Sequence, residues 1–104
     1  MGTASRPKPK HLAKKLLQIR EALGLSQNEM IRRLGFEGKI FQGTLSAYER
    51  GLREPALPVL LSYAQAVNVY VDTLIDDGVE LPSRLPSPKK SEGIARAAKS
   101  TRKR

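Results

Sequence analysis

Residues 23–51, with the sequence LGLSQNEMIRRLGFEGKIFQGTLSAYERG, decide the fold of this chain. Near their start, Ser26 is followed three residues later by Glu29, and Gly24 and Gly35 lie on either side. Serine and glutamate at this spacing form a capping box that begins a helix, and glycine commonly ends one. The pattern therefore predicts one helix that ends at Gly24 and a second that runs from Ser26 to Gly35. The apolar face of the second helix consists of Met30, Ile31 and Leu34.

The sequence on either side of this second helix predicts a first and a third. In the first, apolar residues recur at spacings of three and four, which is the period of one helical face. These residues are Leu12, Leu16, Ile19 and Leu23. The third helix is predicted from about Thr44 to Arg50, where Gly51 ends it, and its Tyr48 is expected in the core.

Two further helices follow along the chain. The fourth begins at Pro55 and Pro58, and its predicted inner face consists of Leu57, Leu60, Leu61, Ala64 and Val67. The fifth is short, from Val71 to Asp76, and is predicted to bury Leu74 and Ile75. No segment alternates between apolar and polar residues in the manner of a strand. The expected fold is therefore a compact all-α domain of five helices.

The composition excludes several classes of function. The 104 residues include no cysteine and one histidine, so neither a thiolate nor a His-rich metal site is expected. No motif pairs a nucleophile with a base, no apolar run approaches the ~20 residues of a membrane span, and the N-terminus lacks a secretory signal. We expect a cytoplasmic protein that is not an enzyme, needs no cofactor or metal and does not enter the membrane.

The net charge of +9 makes a polyanion the first partner to consider, but this charge lies at the two ends of the chain. Residues 11–81 hold 8 basic and 9 acidic residues, whereas residues 1–10 and 82–104 are basic, contain most of the prolines and lack aromatic residues. Segments with much like charge and little apolar surface do not offset the entropy of ordering. We therefore expect disordered basic tails at 1–10 and 82–104 around a domain at 11–81.

The motifs of this domain resemble those of a known family. They are Leu23 to Gln27, Met30, Leu34-Gly35 and Leu45 to Gly51, continued by Arg53-Glu54-Pro55, Leu60 to Ala64 and Val69 to Ile75. From near Leu12 to Asp77 the sequence resembles the Cro/phage-repressor (XRE-type) helix-turn-helix family. The resemblance implies a lambda-repressor-like domain whose second and third helices form the helix-turn-helix, with the third in the major groove of DNA.

The resemblance also implies roles for individual residues. Gln27 matches the phosphate-contacting glutamine at the start of the second helix, where the helix dipole favours an anion. Arg20 and Glu49 match a pair that relatives join as a buried salt bridge. The positions that match base-reading residues are Gln42, Gly43, Ser46 and Ala47. The further phosphate candidates are Lys39, Arg50 and Arg53.

The chain departs from the family pattern in two places. Residues 36–43 are about four residues longer than the usual turn, and Ile31 stands where relatives commonly carry alanine. We expect the longer turn to accommodate the bulkier side chain. The side chains of Gly43 and Ala47 offer no hydrogen bond to a base, so we expect the third helix to form few hydrogen bonds with base edges. An Ala47 contact with a thymine methyl group and recognition of DNA shape are the alternatives.

The C-terminal end contains Ser87-Pro88-Lys89-Lys90, which resembles the minor-groove-binding repeat of linker-histone tails. Non-specific attraction to the DNA backbone requires only charge. The basic residues expected to supply it are Lys89, Lys90, Arg102, Lys103 and Arg104.

Three functions fit this sequence. The first is a sequence-specific transcriptional regulator that binds double-stranded DNA as a homodimer and reads the major groove with helix 3, about residues 44–50. The second is an antitoxin-like or adaptor protein whose helix-turn-helix binds a protein partner, motivated by the few hydrogen bonds expected with base edges and the acidic run 72–80. The third is a nucleoid-associated protein that binds any duplex through its tails.

Overall fold

The computed structural model describes residues 9–90, which form five helices. These are α1 (Leu12–Leu23), α2 (Gln27–Leu34), α3 (Gln42–Glu49), α4 (Leu57–Ala66) and α5 (Val71–Ile75). Between 9 and 90 there is no strand, only an isolated bridge between Glu37 and Ile40. The all-α fold predicted from the sequence is confirmed. Within the same range, no helix is long and apolar enough to cross a membrane.

The ends of α1 and α2 follow from the residues that predicted them. Ser26 and Glu29 form both hydrogen bonds of the capping box at the start of α2. Gly24 and Gly35 end α1 and α2 in the left-handed conformation, with φ of 71° and 84°. Because glycine adopts positive φ without steric cost, these two positions let the chain change direction sharply at the end of each helix.

The third helix begins two residues earlier than predicted, at Gln42 instead of Thr44. The long turn before it is closed by its own backbone, since the carbonyl of Phe36 accepts hydrogen bonds from the N–H groups of Lys39 and Ile40. Ile40 is buried and joins the core. The turn is thus compact and leaves residues 42 and 43 free to form the first turn of α3.

The faces of α4 and α5 differ from the prediction. Leu57 and Leu61 are 71% and 47% exposed, while Val59 and Tyr63 are buried in their place. In α5, Ile75 is exposed and Thr73 is buried beside Leu74. The central part of α4 is nearly all apolar, so more than one stripe fits a helical period. Packing against α2 and α5 selects the stripe of Val59, Leu60, Tyr63 and Ala64.

The core lies where all five helices meet. α3 packs against α1 and α2, α2 packs against α4, and α5 joins α4 to α1. The fully buried side chains include Leu16, Ile19, Met30, Leu45 and Tyr63. Tyr48 and Ile31 are buried as well. This arrangement fixes α3 on two neighbouring helices and leaves its first turn exposed.

Residues 81–90 form a segment, here named the C-terminal strap, that lies against the domain. Leu81 and Leu85 pack on the core, and Ser87 is 4% exposed. The N–H of Ser87 donates to the carbonyl of Val67 at 2.8 Å, and the side-chain amide of Asn68 donates to the carbonyl of Ser87 at 2.8 Å. Composition predicted a disordered tail at residues 82–90. The structure differs because Leu85 packs on the core and Ser87 forms hydrogen bonds with the turn that follows α4.

The predictions for residues 1–8 and 91–104 lie outside the described residues. They include the tail contacts assigned to Arg102, Lys103 and Arg104. Of the tail residues assigned to DNA, Lys89 and Lys90 are described; both are exposed at the end of the strap. The ammonium group of Lys90 lies 5.4 Å from the centre of the Tyr70 ring, a cation–π distance.

The start of α1 is held by an acidic residue that follows α5. His11 precedes α1 but its side chain makes no capping hydrogen bond. Instead, the carboxylate of Asp77 accepts hydrogen bonds from the N–H groups of Lys10 and His11, at 2.9 and 3.1 Å. These bonds favour the charged form and lower the pKa of Asp77 from its ordinary value. Asp77 thus ties the two residues directly before α1 to the segment that follows α5.

A buried lysine of α1 binds the backbone carbonyl groups at and after the end of α5. The ammonium group of Lys15 donates to the carbonyls of Thr73, Asp76 and Val79 at 2.7, 3.0 and 2.6 Å. Cations favour the C-terminal end of a helix because its last carbonyls lack partners. Burial lowers the pKa of Lys15, and the neighbouring carboxylates, Asp77 first, oppose that shift.

Candidate nucleic-acid interface

An ion pair connects α1 to the end of α3. Nε of Arg20 lies 2.6 Å from Oε2 of Glu49, and Nη2 donates to Oε1 of the same carboxylate at 3.1 Å. The third guanidinium nitrogen donates to the carbonyl of Leu25 at 3.0 Å. The hydrogen bond to Glu49 raises the pKa of Arg20. The structure brings together the two residues that the family resemblance pairs, and the pair fixes the direction of α3.

Two glutamines extend this ion pair to the exposed surface. Nε2 of Gln27 donates to Oε1 of Glu49 at 3.1 Å, and Nε2 of Gln42 donates to Oε1 of Gln27 at 3.1 Å. A carboxylate only accepts hydrogen bonds, so Gln27 must turn its amide nitrogen towards Glu49 and its oxygen towards Gln42. The orientation of each amide therefore follows from the charge of Glu49 at the buried end of the chain of bonds.

The same chain of bonds leaves hydrogen-bonding capacity on Gln42. Its amide uses one N–H on Gln27, while the second N–H and the oxygen Oε1 make no hydrogen bond to any residue between 9 and 90. Gln42 is exposed and is the first residue of α3. One donor and one acceptor thus remain side by side at the tip of this helix.

The remaining base-reading candidates lie along the same part of α3. Gly43 is exposed in the first turn, and a Cβ built on it would meet no atom within 4 Å. Ser46 and Ala47 are half-buried in the next turn. Gln42 and Gly43 are therefore the most accessible of the four, and Gln42 supplies the polar side chain of this pair.

Exposed cations flank both ends of α3. Lys39 lies in the turn before the helix, Arg50 follows its last residue, and Arg53 lies in the next loop. Two exposed acids, Glu37 and Glu54, lie in the same segments. Gln27 is half-buried as the first residue of α2, where backbone N–H groups without helical partners are available to an anion.

Phe41 is the residue directly before α3, and no motif of the sequence pointed to a role for it. Its side chain is 65% exposed although it is aromatic. The signal that could have identified it is the pattern Ile40-Phe41-Gln42, in which an extended backbone turns consecutive side chains to opposite sides. Since Ile40 is buried, Phe41 has to face outwards beside Gln42.

Comparison with protein families matches residues 16–74 to the helix-turn-helix family of the Cro/repressor (XRE) type. The match covers more than half of the chain, and the chain belongs to this family. It includes the whole network from Arg20 to Glu49 and ends before the C-terminal strap. Comparison with curated proteins and with solved structures finds no significant match. The protein is therefore a helix-turn-helix protein of a DNA-binding family.

Proposed function

We propose that this protein is a sequence-specific transcriptional regulator that inserts α3 into the major groove of DNA and contacts an adenine with Gln42. The observation that carries the proposal is the hydrogen bond from Gln42 to Gln27, which orients the amide of Gln42 and leaves one donor and one acceptor unused. In the major groove, adenine presents an acceptor at N7 and a donor at N6. A glutamine amide held in this way matches both.

The phosphate contacts of this proposal follow from positions around α3. Gln27 has a second N–H and lies at the start of α2, so it suits a phosphate of the strand that α2 crosses. Lys39, Arg50 and Arg53 would hold the backbone on either side of the groove. Lys89, Lys90 and the basic residues of the C-terminal tail would add attraction that does not depend on sequence.

The length of α3 supports binding as a homodimer. Eight residues extend about 12 Å along the helix axis, which spans only three or four base pairs. A single copy would therefore read too few bases to select a site. Two copies related by a two-fold axis would read half-sites about 34 Å apart. The test is the molar mass of the full chain in solution and on a selected DNA site.

Two features of the sequence suggested the protein-binding alternative, and the structure gives each of them less weight. α3 begins at Gln42, so the helix carries an exposed amide in its first turn. Two acids of the run 72–80 are engaged within the fold: Asp77 holds the start of α1, and Asp76 accepts a hydrogen bond from the N–H of Gly78. Recovery of a stoichiometric protein partner would nevertheless favour this alternative. The tail-driven nucleoid alternative depends largely on residues 91–104, outside the described part.

The deciding experiment is selection of binding sites from random DNA by the full chain, followed by the same selection with Gln42→Ala. We expect an adenine at one position of each half-site for the parent. Loss of one bidentate contact should reduce discrimination at that position by about 1–3 kcal/mol. The matched control is Gln65→Ala, the same change at an exposed position of α4. An unchanged adenine preference in Gln42→Ala contradicts the proposed contact, and the absence of any selected motif contradicts sequence specificity.

A further inference from the structure

Phe41 occupies a position that the fold alone does not explain. It is the residue before α3, where serine, threonine, aspartate or asparagine is favoured because a side-chain oxygen accepts a hydrogen bond from the first turn. Phe41 makes no such bond, and only its backbone carbonyl accepts, from the N–H groups of Thr44 and Leu45. The helix start is thus left without a side-chain cap, and a 65% exposed aromatic ring stands in its place.

The backbone around Phe41 holds the ring outwards. The preceding turn is closed by two hydrogen bonds to the carbonyl of Phe36, and Ile40 fills the core directly before it. Phe41 itself is extended, with φ −115° and ψ 166°, so its side chain points opposite to that of Ile40. The ring cannot exchange places with Ile40 without opening the turn. It therefore remains beside the exposed amide of Gln42.

We infer that Phe41 packs against the 5-methyl group of a thymine in the major groove and so determines sequence preference next to the Gln42 contact. This inference rests on the proposed function. The methyl group of thymine is the apolar feature of the major-groove base edges, and phenylalanine is one of the side chains that contact it. Lys39 and Gln42, the polar neighbours of Phe41 in the chain, suit a DNA surface better than an apolar protein surface.

The test removes single methyl groups from the DNA. Each thymine of the selected site is replaced in turn by deoxyuridine, which keeps the hydrogen-bonding edge and lacks only the methyl group. Binding of the full-length parent should weaken about fourfold at one thymine per half-site, as expected for one buried methyl group. In Phe41→Ser, the same replacement should change affinity by less than about twofold.

The choice of serine separates a binding role from a structural one. Serine at this extended position would supply the missing cap, so Phe41→Ser should raise the melting temperature. Phe41→Ala keeps the position uncapped and removes the ring, and it should lose the methyl sensitivity as well. The control is Leu57→Ala, which removes another strongly exposed apolar side chain, on α4, and should retain the deoxyuridine profile of the parent.

Three results overturn the inference. If the parent and both Phe41 variants show the same deoxyuridine profile at every thymine, the ring does not contact a methyl group, while the proposed function stands. The same holds if no thymine of the selected site affects binding of the parent. If the parent selects no site at all, the proposed function itself fails and the inference fails with it.

Discussion

The side chain of Gln42, the first residue of α3, donates a hydrogen bond to that of Gln27, the first residue of α2. The two residues are 15 positions apart, and the long turn lies entirely between them. Their contact shows that the extra length of the turn does not displace the start of α3 from the start of α2. Both Ile31 and Ile40, the apolar side chain that the long turn adds, are buried in the core of this arrangement.

Arg20→Ala should lower the free energy of unfolding by about 3 kcal/mol, measured by urea denaturation. The substitution would leave the Glu49 carboxylate, 4% exposed, without its cation. The loss should lie at the lower end of the range for broken buried pairs because Gln27 continues to donate to Glu49. Lys14→Ala, an exposed position of α1, is the control. A loss no larger than that of the control would contradict a stabilising role for the pair.

Truncation of Leu85 should destabilise the protein more than truncation of Leu61. The sequence predicts the opposite, because it places Leu61 in the core and Leu85 in a tail. Leu85→Ala should lower the free energy of unfolding by about 1–2 kcal/mol, because Leu85 packs on the core as part of the C-terminal strap. Leu61→Ala should change it by less than about 0.5 kcal/mol, because Leu61 is 47% exposed. Equal losses in thermal or urea unfolding would contradict the packing of the strap.

These two leucines also show how far the sequence determines the fold. Local signals predicted the capping box of Ser26 and Glu29 and the glycines that end α1 and α2, because each depends on neighbouring residues. The exposed side of α4 depends on which helices pack against it, and periodicity in a nearly all-apolar helix does not decide this. The anchoring of Ser87 depends on partners about 20 residues away, which composition does not reveal.

The candidate site, like the fold, was predictable from the sequence only in part. The resemblance assigned Gln27 to a phosphate and Gln42 to a base. It assigned Arg20 and Glu49 to one salt bridge, and positions in the sequence were sufficient for all three assignments. That the four form one chain of hydrogen bonds follows only from the fold, since it requires the start of α2 to lie between the two ends of α3. The exposure of Phe41 likewise follows from the closed turn before it.

Acid should release the contact between Asp77 and the start of α1. The hydrogen bonds from Lys10 and His11 lower the pKa of Asp77, so the stabilisation is complete above its ordinary pKa of 3.8 and is lost as the pH falls through the folded value. In thermal unfolding between pH 6 and pH 2.5, Asp77→Asn should lose less stability than the parent. Asp72→Asn, an exposed acid in α5, should retain the acid dependence of the parent. Identical pH profiles for the parent and Asp77→Asn would exclude this contact as a source of acid sensitivity.

Arg50→Ala should reduce the salt dependence of DNA binding. Each phosphate contact made by a cation contributes about 0.9 to the slope of log affinity against log salt concentration, so the slope should flatten by about one. Arg84→Ala removes an exposed arginine of the strap and serves as the control. Affinity should fall to a similar extent on selected and on random DNA. A slope equal to that of the parent would show that Arg50 does not contact phosphate.

Gly43→Ala should stabilise the protein and weaken its binding to DNA. Gly43 lies in the first turn of α3 with open space around the position of a Cβ, and its φ is not in the left-handed region. The fold therefore has no need of glycine there, and alanine should raise the free energy of unfolding by about 0.5 kcal/mol.

The close approach of α3 to the base edges gives a different expectation for binding. A methyl group at residue 43 would occupy the space between the helix backbone and the DNA beside Gln42, so affinity for the selected site should fall. A higher melting temperature together with a lower affinity would show that glycine at this position serves DNA binding and not folding. Ser62→Ala, at a half-buried position of α4, is the control and should leave affinity unchanged. If Gly43→Ala binds the selected site as tightly as the parent, α3 does not approach DNA closely at this residue, and the base contacts have to come from Gln42 and the following turn.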